Sequence, residues 1–262
     1  MRITTSLIRA LTLAALALAS TMAHADRDAL WKIIDGRCMP AALAGMPPLP
    51  CARVEIAAGR EHGWVLFKDR RGVLQYLLMP ANRIAGIESP VLENADASNY
   101  LAEAWRSRDL LDQLHGRRLP REAVSLTVNS ARNRTQDQLH IHISCVRRDM
   151  RARLLAAQDD ISGAWSPLRG GWMQRAWYVR RIDEATLAKT NLFADVAAHI
   201  PEAADDMGRV TVAVVAATFR DGTEGFVLMS SLFDPADSNS GSAEDDIQEH
   251  GCSILRELGA EH

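Results

Sequence analysis

The chain has 262 residues, 47% of them hydrophobic and 24% charged, which fits a soluble globular protein of one large domain or two small ones. The formal net charge is -3, and no run of Lys or Arg makes a basic stripe, which excludes nucleic-acid binding as the organising function.

The first 25 residues read as a secretory signal peptide. Arg2 and Arg9 supply positive charge, 7–19 is almost wholly apolar, and Ala23, His24 and Ala25 form a small-x-small cleavage site before Asp26. The apolar run is short for a membrane span; retention as an uncleaved anchor is the alternative. Removing 1–25 leaves 28 basic against 33 acidic residues, a balance of -5, and 26–262 as the mature unit. Export permits disulfides. The four cysteines allow three pairings. Cys38 and Cys51 flank a loop rich in proline (Pro40, Pro47, Pro48, Pro50), so a local bridge is expected there, leaving Cys145 with Cys252.

In chain order, 26–34 reads as a short helix and 38–51 as the proline-rich loop. Strands follow at 63–68 and 73–79, with a hairpin turn at 69–72. The range 99–116 reads as one helix, because Leu101, Ala104, Trp105, Leu111 and Leu114 recur at helical spacing before Gly116. Residues 123–129 alternate as a strand, 130–135 is a polar turn, and a second alternating strand runs from Gln138 to Ser144. Beyond it come a helix at 148–161, a strand at 177–182, a helix at 184–199, strands at 210–219 and 225–232, a polar segment at 234–246 and a terminal helix at 247–258. The second half faintly repeats the strand and helix order of the first. These elements predict one α+β unit built on an antiparallel sheet.

The strand from Gln138 to Ser144 carries the chemistry. Side chains alternate across a strand, so Leu139, Ile141, Ile143 and Cys145 share one face, and Gln138, His140, His142 and Ser144 the other. A neutral imidazole serves as metal ligand, general base or nucleophile. A metal needs further ligands, and no carboxylate or cysteine shares this face of the strand to supply them. Asn129 ends the preceding strand and Gln136 enters the histidine strand, so their amides can reach the same face; Arg132 and Arg134 in the turn are candidate phosphate partners. An ordinary polar face with no chemistry remains the alternative at this point.

Leu78 to Pro80, the helix over 99–116, Val128 to Ser130 and the run from Thr135 to Ile143 resemble, in this order, the histidine-triad (HIT) superfamily of nucleotide hydrolases and transferases, over about 63–147. The resemblance implies a HIT-like sheet with packed helices. It makes His142 the nucleophile, His140 a support for the site geometry, and Asn129 and Gln136 phosphate-binding groups. Ser144 stands where the family has its third histidine, and is expected to join Asn129 and Gln136 in binding phosphate, through a hydroxyl that can accept or donate a hydrogen bond. A closer resemblance, to the bacterial CDP-diacylglycerol pyrophosphatase family, rests on Leu74 to Pro80, Arg83 and Ile84, Glu88 to Pro90, Ala123 to Leu126, His140 to Cys145, Met207 to Arg209 and Ile247 to Arg256.

That family resemblance implies hydrolysis of CDP-diacylglycerol to CMP and phosphatidate, with no metal and no cofactor. It also implies a membrane-lipid substrate met at a membrane surface, on the periplasmic side of the bacterial inner membrane. Trp165, Leu168, Trp172 and Trp177 would supply an apolar patch if they are not core residues. The residues alone leave two other classes open: a soluble nucleotide pyrophosphatase or nucleotidyltransferase, and a non-catalytic periplasmic binding module.

Overall fold

A computed structural model describes residues 26–237 and 241–259. The expected signal segment lies outside the described residues. Among them, nine strands form a single antiparallel sheet: β1 (Cys51–Glu55), β2 (Trp64–Lys68), β3 (Gln75–Pro80), β4 (Val124–Val128), β5 (Ile141–Cys145), β6 (Ser166–Pro167), β7 (Tyr178–Ile182), β8 (Val210–Thr218) and β9 (Glu224–Leu232). Their order across the sheet is β1-β2-β3-β5-β4-β8-β9-β7-β6. The α+β class is as expected, and β1 is an edge strand that the sequence did not announce.

The helices are shorter than their periodicity suggests. The 99–116 helix is two, α3 (Tyr100–Arg106) and α4 (Asp109–His115), and Gly116 ends the second with φ +83°, a left-handed conformation that glycine adopts without strain. The 184–199 helix is also two, α6 (Glu184–Lys189) and α7 (Leu192–His199), because the Asn191 side chain accepts from the Phe193 and Ala194 backbone N–H groups and starts a new helix. At the N-terminus, α1 (Ala29–Ile33) continues through a wide turn at Ile34–Cys38 into α2 (Met39–Leu43). The expected helix over 247–258 is replaced by α8 (Ala243–Ile247) and α9 (Ile254–Glu257), with α5 (Arg148–Ala157) earlier in the chain. Cys252 between α8 and α9 has φ +54°, which breaks a helix, and its sulfur is bonded to Cys145. Both expected disulfides, Cys38–Cys51 and Cys145–Cys252, are present.

The faint repeat is real in topology. β3, helix, β4, β5 lie in the sheet as β3-β5-β4; β7, helix, β8, β9 lie as β8-β9-β7. A pseudo-two-fold between β4 and β8 relates the two triplets. On β9 the residues facing the same side as His142 include Val227 and Met229, so the imidazoles belong to the first half alone.

Two apolar clusters flank a polar seam. The smaller packs Leu30, Ile34 and Met39 of the N-terminal helices against Val65, Leu77 and Met79; the larger fills the rest of the molecule. Between them, on the near face of the sheet, lie Gln75, Ser125, Thr127, His142 and Ser144, all buried. Register puts Gln75, Ser144 and Ser125 on one cross-strand row and Leu77, His142 and Thr127 on the next. Buried polar groups must find partners or cost stability, and the C-terminal segment supplies them.

Trp177 and Leu168 are core residues, and Trp165 and Trp172 pack against that core with their indole N–H groups donating to Asp195 and to the Asp246 backbone carbonyl. These four residues form no exposed apolar patch.

Candidate active site

His142 sits mid-strand on β5 and His140 just before it, on the same side, with ring centroids 5.0 Å apart in an edge-to-face arrangement. His140 Nδ1 lies 2.6 Å from the Gln138 backbone oxygen. A carbonyl only accepts, so Nδ1 carries the proton and Nε2 of the neutral ring keeps its lone pair.

Four groups around His142 come from far away in sequence. The Gln75 amide nitrogen is 2.9 Å from Asp69 Oδ2, 3.1 Å from Glu244 Oε1 and 3.2 Å from His142 Nδ1. Glu244 Oε1 is itself 3.5 Å from His142 Nδ1. His250 Nδ1 donates to Gln75 Oε1 at 2.9 Å, which sets the amide's orientation. An amide nitrogen has two hydrogens and here faces three acceptor-capable atoms. The count closes when His142 carries its proton on Nδ1 and donates to Glu244, leaving Gln75 to serve both carboxylates. The other tautomer leaves one acceptor without a hydrogen and buries an N–H without an acceptor, and each orphan is costly. Among the described residues His142 Nε2 has no hydrogen-bond partner, and it is sealed from solvent. Its lone pair is the free end of the network.

Of the three residues expected to bind substrate phosphate, Asn129 instead holds the C-terminal strap in place. Asn129 Oδ1 accepts the Glu244 backbone N–H at 3.1 Å, and the Gln248 amide donates to the backbone oxygens of Ser125 and His142. Ser144 Oγ donates to the Leu74 carbonyl at 2.9 Å, so its hydroxyl serves the sheet. Gln136 is elsewhere: its Oε1 accepts the Leu30 backbone N–H and its Nε2 donates to the Asp26 carbonyl, which tethers the N-terminal helix. The reason is local, since β5 begins only at Ile141 and the residues before it form a turn-rich loop where strand alternation does not apply. The turn arginines are also committed, Arg134 to both carboxylate oxygens of Glu88 and Arg132 to Asp206.

Burial holds both imidazoles in their neutral form. His142 is pushed down to about 4 from 6.5, mainly by desolvation, with the Asp69 carboxylate opposing. His140 is likewise pushed down to about 4, by desolvation and then by the charge His142 would carry. The folded state therefore refuses protons that the unfolded chain accepts below about 6.5. Stability is full above that pH and falls as pH drops towards 4, by about 3 kcal/mol for one such imidazole. We expect the melting temperature of wild type to fall across this window more steeply than that of His142→Asn; parallel curves would refute the assignment.

Asp69, His142 and Glu244 each place one ligand atom within 4.8 Å of the others, a set able to hold a cation. The Gln75 amide sits among the three, so an ion there would have to displace it. A crevice of about 850 Å³ is elsewhere. It lies on the opposite face beside α3 and α4, is lined by Arg106, Arg108, Arg118 and Arg121 with five carboxylates, and does not reach the histidines.

Sequence reasoning missed Gln75, Asp69, Glu244 and His250. Gln75 and Glu244 are 67 and 102 positions from His142, and no spacing rule links them. The signal available was Glu244 at the head of an acidic run, Glu244 to Asp246, eight positions before Cys252. An α+β protein that buries a nucleophile-capable imidazole against a carboxylate, with its tautomer set by an amide relay, belongs among the enzymes rather than the passive binding modules. The chain matches the CDP-diacylglycerol pyrophosphatase family over residues 25–256, nearly its whole length, and it belongs to that family. It is a hydrolase acting on a pyrophosphate bond.

Proposed function

We propose that the chain hydrolyses CDP-diacylglycerol to CMP and phosphatidate through His142, in two displacements at the cytidylyl phosphorus. In the first, the Nε2 lone pair forms a P–N bond and the P–O bond to phosphatidate breaks. Phosphatidate leaves as a phosphate monoester anion, a good leaving group that needs no proton. The imidazole then carries positive charge, and Glu244 stabilises it through the Nδ1–H. In the second displacement water attacks the same phosphorus, gives a proton to His140 Nε2, and the P–N bond breaks to release CMP. The observation that carries this reading is the unpartnered Nε2 opposite an Nδ1 that lies 3.5 Å from Glu244 Oε1. The likeness to histidine-triad proteins supports the same assignment. Because the site is buried between the N-terminal helices and the 241–248 segment, turnover requires that seam to open.

Glu244 is the positioning group in this scheme. A charge-assisted hydrogen bond of about 2 kcal/mol corresponds to roughly 30-fold in rate. Glu244→Gln should lower kcat by about that factor with KM nearly unchanged; an unaltered kcat would remove Glu244 from the mechanism.

The substrate has two acyl chains, so the enzyme works at a bilayer surface, and we place it on the periplasmic side of the bacterial inner membrane. The N-terminal segment and the two disulfides support export. Among the described residues no helix is long and apolar enough to cross a membrane. The experiment is incubation of the purified chain with CDP-diacylglycerol in detergent containing EDTA, with CMP as the readout. Release under chelation supports metal-free histidine chemistry. Release only after a divalent cation is added would reassign His142, Asp69 and Glu244 as ligands.

A further inference from the structure

The loop closed by Cys38 and Cys51 has a composition unlike the rest of the surface. From Met39 to Pro50, twelve consecutive residues carry no charged and no hydrogen-bonding side chain. Leu43, Met46 and Leu49 project from it at 70%, 57% and 70% exposure, and Val73 on the β2–β3 turn, at the same end of the sheet as Cys51, is 62% exposed. Single exposed apolar residues are ordinary, but a contiguous exposed patch marks a binding surface. Water gives no reason to keep such a loop open. The disulfide and four prolines do, by limiting the conformations in which it could collapse onto the core.

Cations rim this patch. Arg37 at the loop's start and Arg70 and Arg71 on the β2–β3 turn are exposed, and their side chains form no ion pair with any described residue. Apolar side chains ringed by unpaired guanidinium groups match a bilayer whose surface carries phosphate: the apolar groups enter the acyl boundary and the cations meet the headgroups. A protein partner would be expected to meet some of the loop with hydrogen-bonding groups, and the loop offers it no side chain to pair with.

The patch is also placed for the reaction. Cys51, Phe67, Leu77 and His142 follow one another on a single cross-strand row. Three strand spacings separate the loop's anchor from the reactive imidazole, roughly 14 Å. We propose that the Met39–Pro50 loop, with Val73 and its rim of Arg37, Arg70 and Arg71, is the surface that docks on an anionic phospholipid bilayer and brings the histidine seam to lipid headgroups. This rests on the lipid-substrate reading only for its choice of substrate.

The test compares the full chain with a Leu43→Glu, Met46→Glu, Leu49→Glu variant. Each is assayed on long-chain CDP-diacylglycerol in vesicles of phosphatidylcholine and phosphatidylglycerol, and on a dihexanoyl analogue dissolved as monomers. Flotation with the same vesicles, without substrate, gives affinity independently of turnover. The expected result is a vesicle KM and vesicle affinity weakened by at least about tenfold, with turnover of the monomeric analogue within about twofold of wild type. The effect of Arg37→Glu should shrink as salt is raised, since exposed charges are screened. Unchanged vesicle affinity and KM would overturn the proposal, as would a wild-type dimer that the triple variant dissociates, which would give the loop to a second copy. If wild type hydrolyses neither substrate, the lipid-hydrolase reading falls, and flotation alone decides the docking surface.

Discussion

Replacing His142 by Ala should reduce CMP release by at least about 10⁴-fold, roughly 5 kcal/mol of transition-state stabilisation. The size follows from what is removed. In the proposed mechanism Nε2 is the atom that forms the covalent bond, and among the described residues no other side chain in the seam offers a lone pair with its opposite nitrogen already facing a carboxylate. His140 has its own free Nε2, but its Nδ1 rests on a neutral carbonyl, which stabilises positive charge less than Glu244 does. The variant should fold, since Gln75 can still donate to both Asp69 and Glu244. Rapid quenching of wild type with substrate should trap a cytidylyl adduct on this histidine that is stable in base and lost in acid. A folded variant that keeps more than about 1% of wild-type turnover would require another nucleophile, and His140→Ala would then be the next variant to measure.

The second large effect concerns the bridge from Cys145 to Cys252. It closes a loop of sequence separation 107, and its removal should cost roughly 4 kcal/mol through the freedom restored to the unfolded chain. For a chain of this size that corresponds to a fall of about 10 °C in melting temperature. The loss should extend to activity. The residues just before Cys252 bind the site: Gln248 holds β4 and β5, His250 orients Gln75, and the Glu249 backbone N–H donates to the Cys145 carbonyl. Freeing Cys252 loosens the groups that set the His142 tautomer. We therefore expect Cys145→Ala, Cys252→Ala to lower kcat in detergent as well as stability. The Cys38–Cys51 pair, with a separation of 13, should contribute roughly 3 kcal/mol and leave kcat in detergent unchanged. Equal effects of the two bridges on kcat would show that the C-terminal strap does not support the site.

Much of this was legible in the residues. The alternation from Ile141 to Cys145 separated the face that enters the larger apolar core from the imidazole face, because a strand has only two faces; that the imidazole face is buried as well was decided by the segments packed over it. The cysteine pairing followed from the proline-rich loop between the first two. The helix break at Asn191 was not legible from apolar periodicity, since periodicity reports which face is buried and not where a side chain recaps the backbone. Gln136 was misplaced for a related reason: the strand pattern was extended into residues whose backbone bonds go to turns and to the N-terminal helix.

What the sequence determined by itself was local and periodic. It set the strands and their alternating faces, two imidazoles on one side, cysteines able to pair, and a proline-rich loop between the first two of them. The tertiary structure decided which groups the imidazoles meet. Antiparallel register brings Gln75 beside Ser144 and Leu77 beside His142, and the bridged C-terminal strap lays Glu244 and His250 over them. The physical reason is that buried polar atoms must find partners wherever the chain can deliver them. In this protein those partners come from distant segments folded onto one seam, a pairing that no spacing along the chain encodes.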